Sequence, residues 1–332
     1  MTMYTMNMFA ALLLPAALIT AGALAAASNP PAPRNAPSAA NIRRQQSPSA
    51  TSYGPSYNTA PHYSFDELFQ LQKEFLDNFI YPANQVQAKS VNSSLLAPDV
   101  QGRVDITRTF TGQELNTEYL FGLFANIAAS PDEFTLLGVP LAYEITHFAA
   151  SQNIASASTR FNFSFPLLGN LIVPVEIETW NVFDKNGKIS QYDATFKWWQ
   201  WTFDYLIQTA AAANKMNLTQ IEAYATDKLA TSICSTAQTH CNGTNTQYNS
   251  TSSCHNYLTT QIRFGEAYEL GRNTLLCRMV HQNMVPIRPD VHCPHIGPSG
   301  GGYCDDDTTY VGTVTQNYFT NFPFVYGGNA TG

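Results

Sequence analysis

Charge is what this 332-residue sequence has least of: Asp, Glu, Lys and Arg make up 12% of it, about half the share usual in globular proteins. Polar uncharged residues and Tyr take the place of the missing charges. The formal net charge is −7 and no basic stripe runs through the chain. Nothing is available to neutralise a phosphate backbone, so nucleic acid is not an expected partner. Beyond residue 27 no apolar run is long enough to span a bilayer, and once that first stretch is removed no membrane association is expected. The chain also lacks an HExxH pair, a dinucleotide fingerprint and a Gly-x-Ser-x-Gly elbow between strand and helix, which leaves metalloprotease, dehydrogenase and serine-hydrolase readings without support. Cysteine is missing from the first 233 residues.

The first 27 residues contain no Lys or Arg, and their apolar core ends in Ala23-Leu24-Ala25 and Ala25-Ala26-Ala27. They read as a secretory signal peptide. All six cysteines, Cys234, Cys241, Cys254, Cys277, Cys293 and Cys304, lie in the last third. That even number suits three disulfides in an oxidising compartment. Six N-x-Ser/Thr sequons start at Asn92, Asn162, Asn217, Asn242, Asn249 and Asn329, each a candidate glycan site. A secreted, extracellular glycoprotein is expected. Residues 28–63, rich in Pro, Ser and Ala, cannot bury enough apolar surface to fold and read as a disordered leader. Arg43-Arg44 within it offers a dibasic processing site.

Order is expected from Ser64. Ser64 and Glu67 form a capping-box pattern, and Phe65, Leu68, Phe69, Phe75, Leu76, Phe79 and Ile80 share one helical face. A second helix is written in GQELNTEYLFGLFANI. After Pro131 the apolar period drops from about 3.6 to 2, and four strand-like runs follow: VPLAYEITHF, RFNFSF, LIVPVEIETWNVF and KISQYDATFKWWQWTF. The last two are joined by a turn with Asn186-Gly187 at its centre. Beyond Tyr205 helical periodicity returns, interrupted by the cysteine-bounded loop CNGTNTQYNSTSSC.

The order helix, loop, helix from Gly112 and Glu114, then long strands with the Asp184 to Ile189 turn before the last, resembles the NTF2-like or SnoaL-like superfamily over residues 64–208. The resemblance implies an α+β, cystatin-like cone: helices packed on a curved antiparallel sheet, with a pocket at the open end. A helical, disulfide-rich C-terminal region at 209–332 would follow. The segments YNSTSSC, FGEAYELGRNTLLCRMVHQNM and RPDVHCPHIGPSGGGYC are also similar to uncharacterised secreted proteins of filamentous fungi. Superfamily members include polyketide cyclases, dehydratases, isomerases and plain binding or dimerisation modules, so the fold does not give the function.

If the cone is catalytic, a carboxylate or histidine inside it would move a proton. By strand alternation, if Tyr143 and Ile145 face the pocket so does His147, and on the last strand Ile189, Gln191 and Asp193 share a face. His147 with Asp193 is therefore the first acid/base pair to consider, with Glu178 and Tyr143 as further catalytic candidates. The chain departs from the resemblance where SnoaL-type cyclases carry their carboxylate: Thr195, Phe196 and Lys197 stand there. Trp180, Trp198 and Tyr192 are candidates to stack on or bond a small apolar or aromatic ligand.

His281, His292, His295 and Asp305 to Asp307 carry groups that zinc or copper accepts. Their spacing argues against a site, because histidines three apart in a Pro-broken loop need not share a face. No metal and no cofactor are expected. Cys293 and Cys304 instead close a short loop as plausible partners, although six cysteines allow fifteen pairings. Two functions remain open: an acid/base isomerase, cyclase or dehydratase acting on a small metabolite, or a non-catalytic extracellular protein that binds a ligand or forms a homodimer.

Overall fold

The computed structural model describes residues 60–125, 127 and 134–325. The expected signal peptide, the leader up to residue 59, the Arg43-Arg44 pair and the Asn329 sequon lie outside the described residues. Among these residues no helix is long and apolar enough to cross a membrane.

Ser64 starts helix α1 (Phe65–Phe79) with a complete capping box: its hydroxyl accepts from the Glu67 amide, and the Glu67 carboxylate accepts from the Ser64 amide. Two of the helix's first orphan donors are thereby satisfied. Leu68, Phe75, Leu76 and Phe79 are buried, while Phe65 and Phe69 meet the Phe148 ring edge-on at 5.1 Å. After α2 (Ala83–Ser90) come two strands the sequence pattern did not reveal, β1 (Leu96–Val104) and β2 (Thr109–Thr111). LAPDVQGRV lacks clean alternation because β1 is buried at both ends and crossed by Pro98 and Asp99. The expected second helix is present as α3 (Gln113–Thr117), a single π-turn at Glu118–Gly122 and α4 (Leu123–Ala125).

Strands β3 (Val139–Ser151), β4 (Ile154–Phe165), β5 (Leu171–Phe183) and β6 (Ile189–Phe196) form the meander. The sheet order is β2-β1-β6-β5-β4-β3. The α+β architecture is as expected, but the sheet is mixed rather than antiparallel, because β1 and β6 pair in parallel. The chain leaves β1 through β2, the helical segment and the whole meander before it returns, an excursion long enough for a parallel neighbour. The final run is also shorter than expected. Trp198 adopts a left-handed φ of 52°, which stops the strand and starts α5 (Trp199–Asn214).

The C-terminal region is helical: α6 (Leu218–His240), α7 (Thr251–Thr260), α8 (Leu275–Gln282), α9 (Pro289–Ile296) and α10 (Tyr310–Val314). Three disulfides hold it, Cys234–Cys254, Cys241–Cys293 and Cys277–Cys304. The expected Cys293–Cys304 loop is not formed. Pro289 at the first turn makes RPDVHCPHI helical instead of a loop, and Cys293 reaches the end of α6 while Cys304 reaches α8. Residues 318–322 then run along the outer face of the sheet. The side-chain amides of Gln101 and Gln191 bond to their backbone as another strand would.

Candidate functional site

The concave face of the sheet closes on α1, the α3–α4 segment, α5 and α8 around a cavity of about 80 Å³. Its walls are apolar and aromatic: Phe75, Phe79, Phe161, Phe163 and Trp199 with aliphatic residues of β5 and β6. C-terminal residues complete it, since Leu270 and Val280 contribute to the wall and the Trp199 indole N–H donates to the Ala267 carbonyl at 3.0 Å.

Few polar groups face this space. Tyr192 and Thr179 line it, and their hydroxyls are buried without a hydrogen-bond partner. Asn181 donates to Gln72 Oε1 at 2.7 Å, leaving Gln72 Nε2 unpaired. Tyr119 donates to or accepts from Thr107 at 2.8 Å. Burial raises both phenols, Tyr192 well above its ordinary value. Among the described residues no histidine, Asp or Glu lines the cavity.

His147 and Asp193 are not among its walls. A β-bulge between Ile145 and His147 shifts the register, so Ile145 sits opposite Thr159 but His147 opposite Ser158. The alternation slips by one residue, and His147 is exposed on the outer face. The same happens at β6. An irregularity pairs Phe183 with Ile189 and Val182 with Gln191, which turns Ile189 inward and Gln191 and Asp193 outward. Asp193 is ion-paired with Arg103. Glu178 also faces outward, paired with Lys197 at 2.9 Å and with Ser158 at 3.2 Å.

The other candidates divide. Tyr143 stands at the rim, donating to Asp77 at 2.6 Å, with its pKa pushed up to about 12 by burial and by that carboxylate. Trp180 and Trp198 are 50% and 64% exposed and lie outside the cavity, so their proposed stacking role has no ligand space beside it. Only Tyr192 of the proposed ligand residues reaches the cavity. Trp199, Thr179 and Tyr119 also line it; Trp199 stands in the aromatic run KWWQWTFDY, whose tryptophans the sequence offers for stacking, whereas nothing in the sequence marks the other two. Asn92, Asn162, Asn217, Asn242 and Asn249 are all exposed.

A second constellation lies beside the cavity. The rings of His281 on α8 and of His292 and His295 on α9 converge, each residue at most 6% exposed. Nδ1 of His295 is 3.2 Å from Nδ1 of His281 and 3.3 Å from Nδ1 of His292. Nε2 of His292 meets Glu118 Oε2 at 3.1 Å, and Arg288 holds the other Glu118 oxygen at 2.9 Å. Burial keeps His281 well below its ordinary value and pushes His295 down to about 3, with the neighbouring imidazoles adding to both. The helix formed by α9 is what puts histidines three apart on one face. Gly297 to Gly301 spells Gly-x-Ser-x-Gly, but it follows a helix, and Ser299 Oγ accepts from the Gly301 amide, so it is no elbow.

Residues 73–194 match the BfoA N-terminal domain and residues 198–307 the BfoA family C-terminal domain. The chain is 51% identical over 273 residues to the Bifonsecin B biosynthesis cluster protein A of Aspergillus brasiliensis, covering 82% of this chain and 90% of that one. It is 50% identical over 279 residues to the Aurasperone B biosynthesis cluster protein A of Aspergillus niger, covering 84% and 90%. Among solved structures, a bacterial protein with a cystatin-like fold from Silicibacter pomeroyi aligns with a TM-score of 0.26 and 13% identity, over 39% of this chain and 78% of that one.

Proposed function

The chain belongs to the BfoA family, and on that footing we propose that it serves secondary-metabolite biosynthesis by holding a flat aromatic metabolite in the cone cavity. The relatives' names, which tie them to biosynthesis clusters, support the pathway. The observation that carries the binding reading is the pairing of an aromatic wall with two buried, unpartnered hydroxyls, those of Tyr192 and Thr179. Buried polar atoms normally find a partner, and a bound phenol or ketone would supply one. Pockets of this kind, largely apolar with a few placed polar groups, are the usual form of small-molecule sites.

In this proposal the cavity binds its ligand without acid/base turnover. Proton transfer near neutral pH calls for a group that titrates there, and the titratable groups that line the cavity among the described residues are two phenols whose pKa values burial raises. Three disulfides fit a life in an oxidising compartment, and we include passage through the secretory pathway in the proposal.

The test is a fluorescence titration of the purified full chain with 1,3-dihydroxynaphthalene. Saturable quenching that disappears in Trp199→Phe is expected. Ala194→Phe, which fills the cavity from β6, should abolish binding, and His147→Ala with Asp193→Ala should leave it unchanged. Equal binding by the Ala194→Phe variant, or no saturable binding by the native chain, refutes the reading.

A further inference from the structure

The three converging histidines cannot all be satisfied by hydrogen bonds among themselves. His292 Nε2 faces the Glu118 carboxylate, which only accepts, so that nitrogen carries the ring's proton and Nδ1 of neutral His292 is bare. If His295 bears its proton on Nδ1, that proton can point at His292 or at His281, and the other contact has no hydrogen bond, because a protonated imidazole nitrogen has no lone pair with which to accept. If His295 Nδ1 is bare, it can accept from His281 but then meets His292 lone pair to lone pair. One of the two close contacts, at 3.2 and 3.3 Å, is left unbonded in either arrangement. Adding a proton to a ring works against burial.

A bound cation removes the conflict. We propose that His281, His292 and His295 bind one zinc or copper(II) ion through their Nδ1 atoms. Imidazole nitrogens held at about 2.0–2.1 Å from zinc in a tetrahedral shell stand about 3.3 Å apart, which matches the two spacings that His295 Nδ1 makes, and the ligand atoms of all three histidines lie within 4.8 Å of one another. The contact between His292 and Glu118 has the form that orients metal-bound imidazoles, a carboxylate on the nitrogen away from the ion. Arg288 in turn bonds to Glu118, which is 1% exposed, and is also ion-paired with Glu114. Glu118 opens the π-turn of the helical segment, a local distortion often found at functional positions.

Sulfur ligands are ruled out by pairing. Cys277 and Cys304 offer sulfurs within 4.8 Å of a His281 ligand atom, but they are joined in a disulfide and supply no thiolate. An all-imidazole donor set suits zinc or copper(II) and is a poor match for calcium or magnesium, which prefer oxygen. The site borders the cavity on two elements, since Tyr119 and Val280 line that space while Glu118 and His281, one residue away on each, belong to the histidine cluster. The proposal does not depend on the ligand-binding reading of the cavity.

The experiment uses the full, disulfide-intact chain, stripped against a chelating resin, then equilibrated with zinc chloride or copper sulfate, desalted and analysed for metal. About one ion per chain is expected. His295→Gln, with native far-ultraviolet circular dichroism, should reduce the stoichiometry to near zero, and His147→Gln and His255→Gln should leave it at one. Glu118→Gln should weaken affinity about 10–100-fold while the chain stays folded, which decides the matter if His295→Gln misfolds. Cobalt(II) loading adds a further readout: visible bands of a tetrahedral nitrogen site are expected without a thiolate charge-transfer band. No retained ion in the native chain, full stoichiometry in His295→Gln, undiminished affinity in Glu118→Gln, or a thiolate band would each overturn the proposal.

Discussion

Tyr192 shows at single-residue scale how the cavity departs from an ordinary core. Its ring packs like any core aromatic, yet its hydroxyl has no partner, and leaving such a group buried costs about 1–3 kcal/mol. Tyr192→Phe is therefore expected to leave the ligand-free chain equally or more stable in urea unfolding, and to weaken 1,3-dihydroxynaphthalene binding about fivefold, the worth of one neutral hydrogen bond. Loss of stability with unchanged binding would show that the hydroxyl serves packing alone. The buried histidines predict a pH dependence for the metal-free chain. His281 and His295 titrate near 6.5 when unfolded but are held far lower in the fold, His295 at about 3. Between those values the unfolded chain binds protons the folded chain does not. Stability is thus full above about pH 6.5 and falls as pH drops towards 3, by up to about 1.4 kcal/mol per pH unit for each histidine. Urea midpoints at pH 7.5 and 5 measure it, and His281→Gln should narrow the difference.

At the scale of elements, close approach and bulges decide what each face presents. Gly102 on β1 sits opposite Tyr192 on β6. A Cβ there would lie 2.2 Å from Tyr192 Cζ and 2.3 Å from Asn116 Oδ1, so β1, β6 and α3 meet only over a glycine. Gly102→Ala should lower unfolding free energy by about 3 kcal/mol, as overpacking does, read as a drop in the urea midpoint. The element types of β3 to β6 were legible because Phe161, Phe163 and Phe165, or Val173, Val175 and Ile177, alternate without interruption. The facings of His147 and Asp193 were not. One bulged residue turns every later side chain of a strand to the other face, and nothing in THF or ISQ marks the bulge. The histidine cluster failed for a related reason: Pro294 suggested a loop, whereas Pro289 had already set a helical turn that puts His292 and His295 together.

At the scale of the whole molecule, the two matched family segments build one cavity between them. The C-terminal region supplies Leu270 and Val280 to it and anchors its Trp199 through the Ala267 carbonyl, and ion pairs of Arg288 with Glu118 and of Arg108 with Asp305 tie that region to the helical segment and the β1–β2 edge. A fragment of residues 60–208 would leave an apolar wall open to water. It is expected to bind the dye anilinonaphthalene sulfonate and to lack a sharp thermal transition, whereas residues 60–325 should melt in one. The Cys241–Cys293 bridge, spanning 52 residues, should contribute about 4 kcal/mol on loop-closure grounds. It also fixes the residue next to His292. The double variant Cys241→Ala, Cys293→Ala is therefore expected to lose both melting temperature and zinc retention.

The sequence alone determined the α+β class, the α1 capping box, the position of the meander and the presence of three disulfides, because periodicity, caps and cysteine parity are properties of neighbours along the chain. Tertiary structure decided the parallel docking of β1 on β6, the pairing of the six cysteines, which of four tryptophans faces the cavity, and the meeting of His281, His292 and His295 with Glu118. Each of these depends on residues tens to more than a hundred and fifty positions apart, whose distance is fixed only when the core they share has packed.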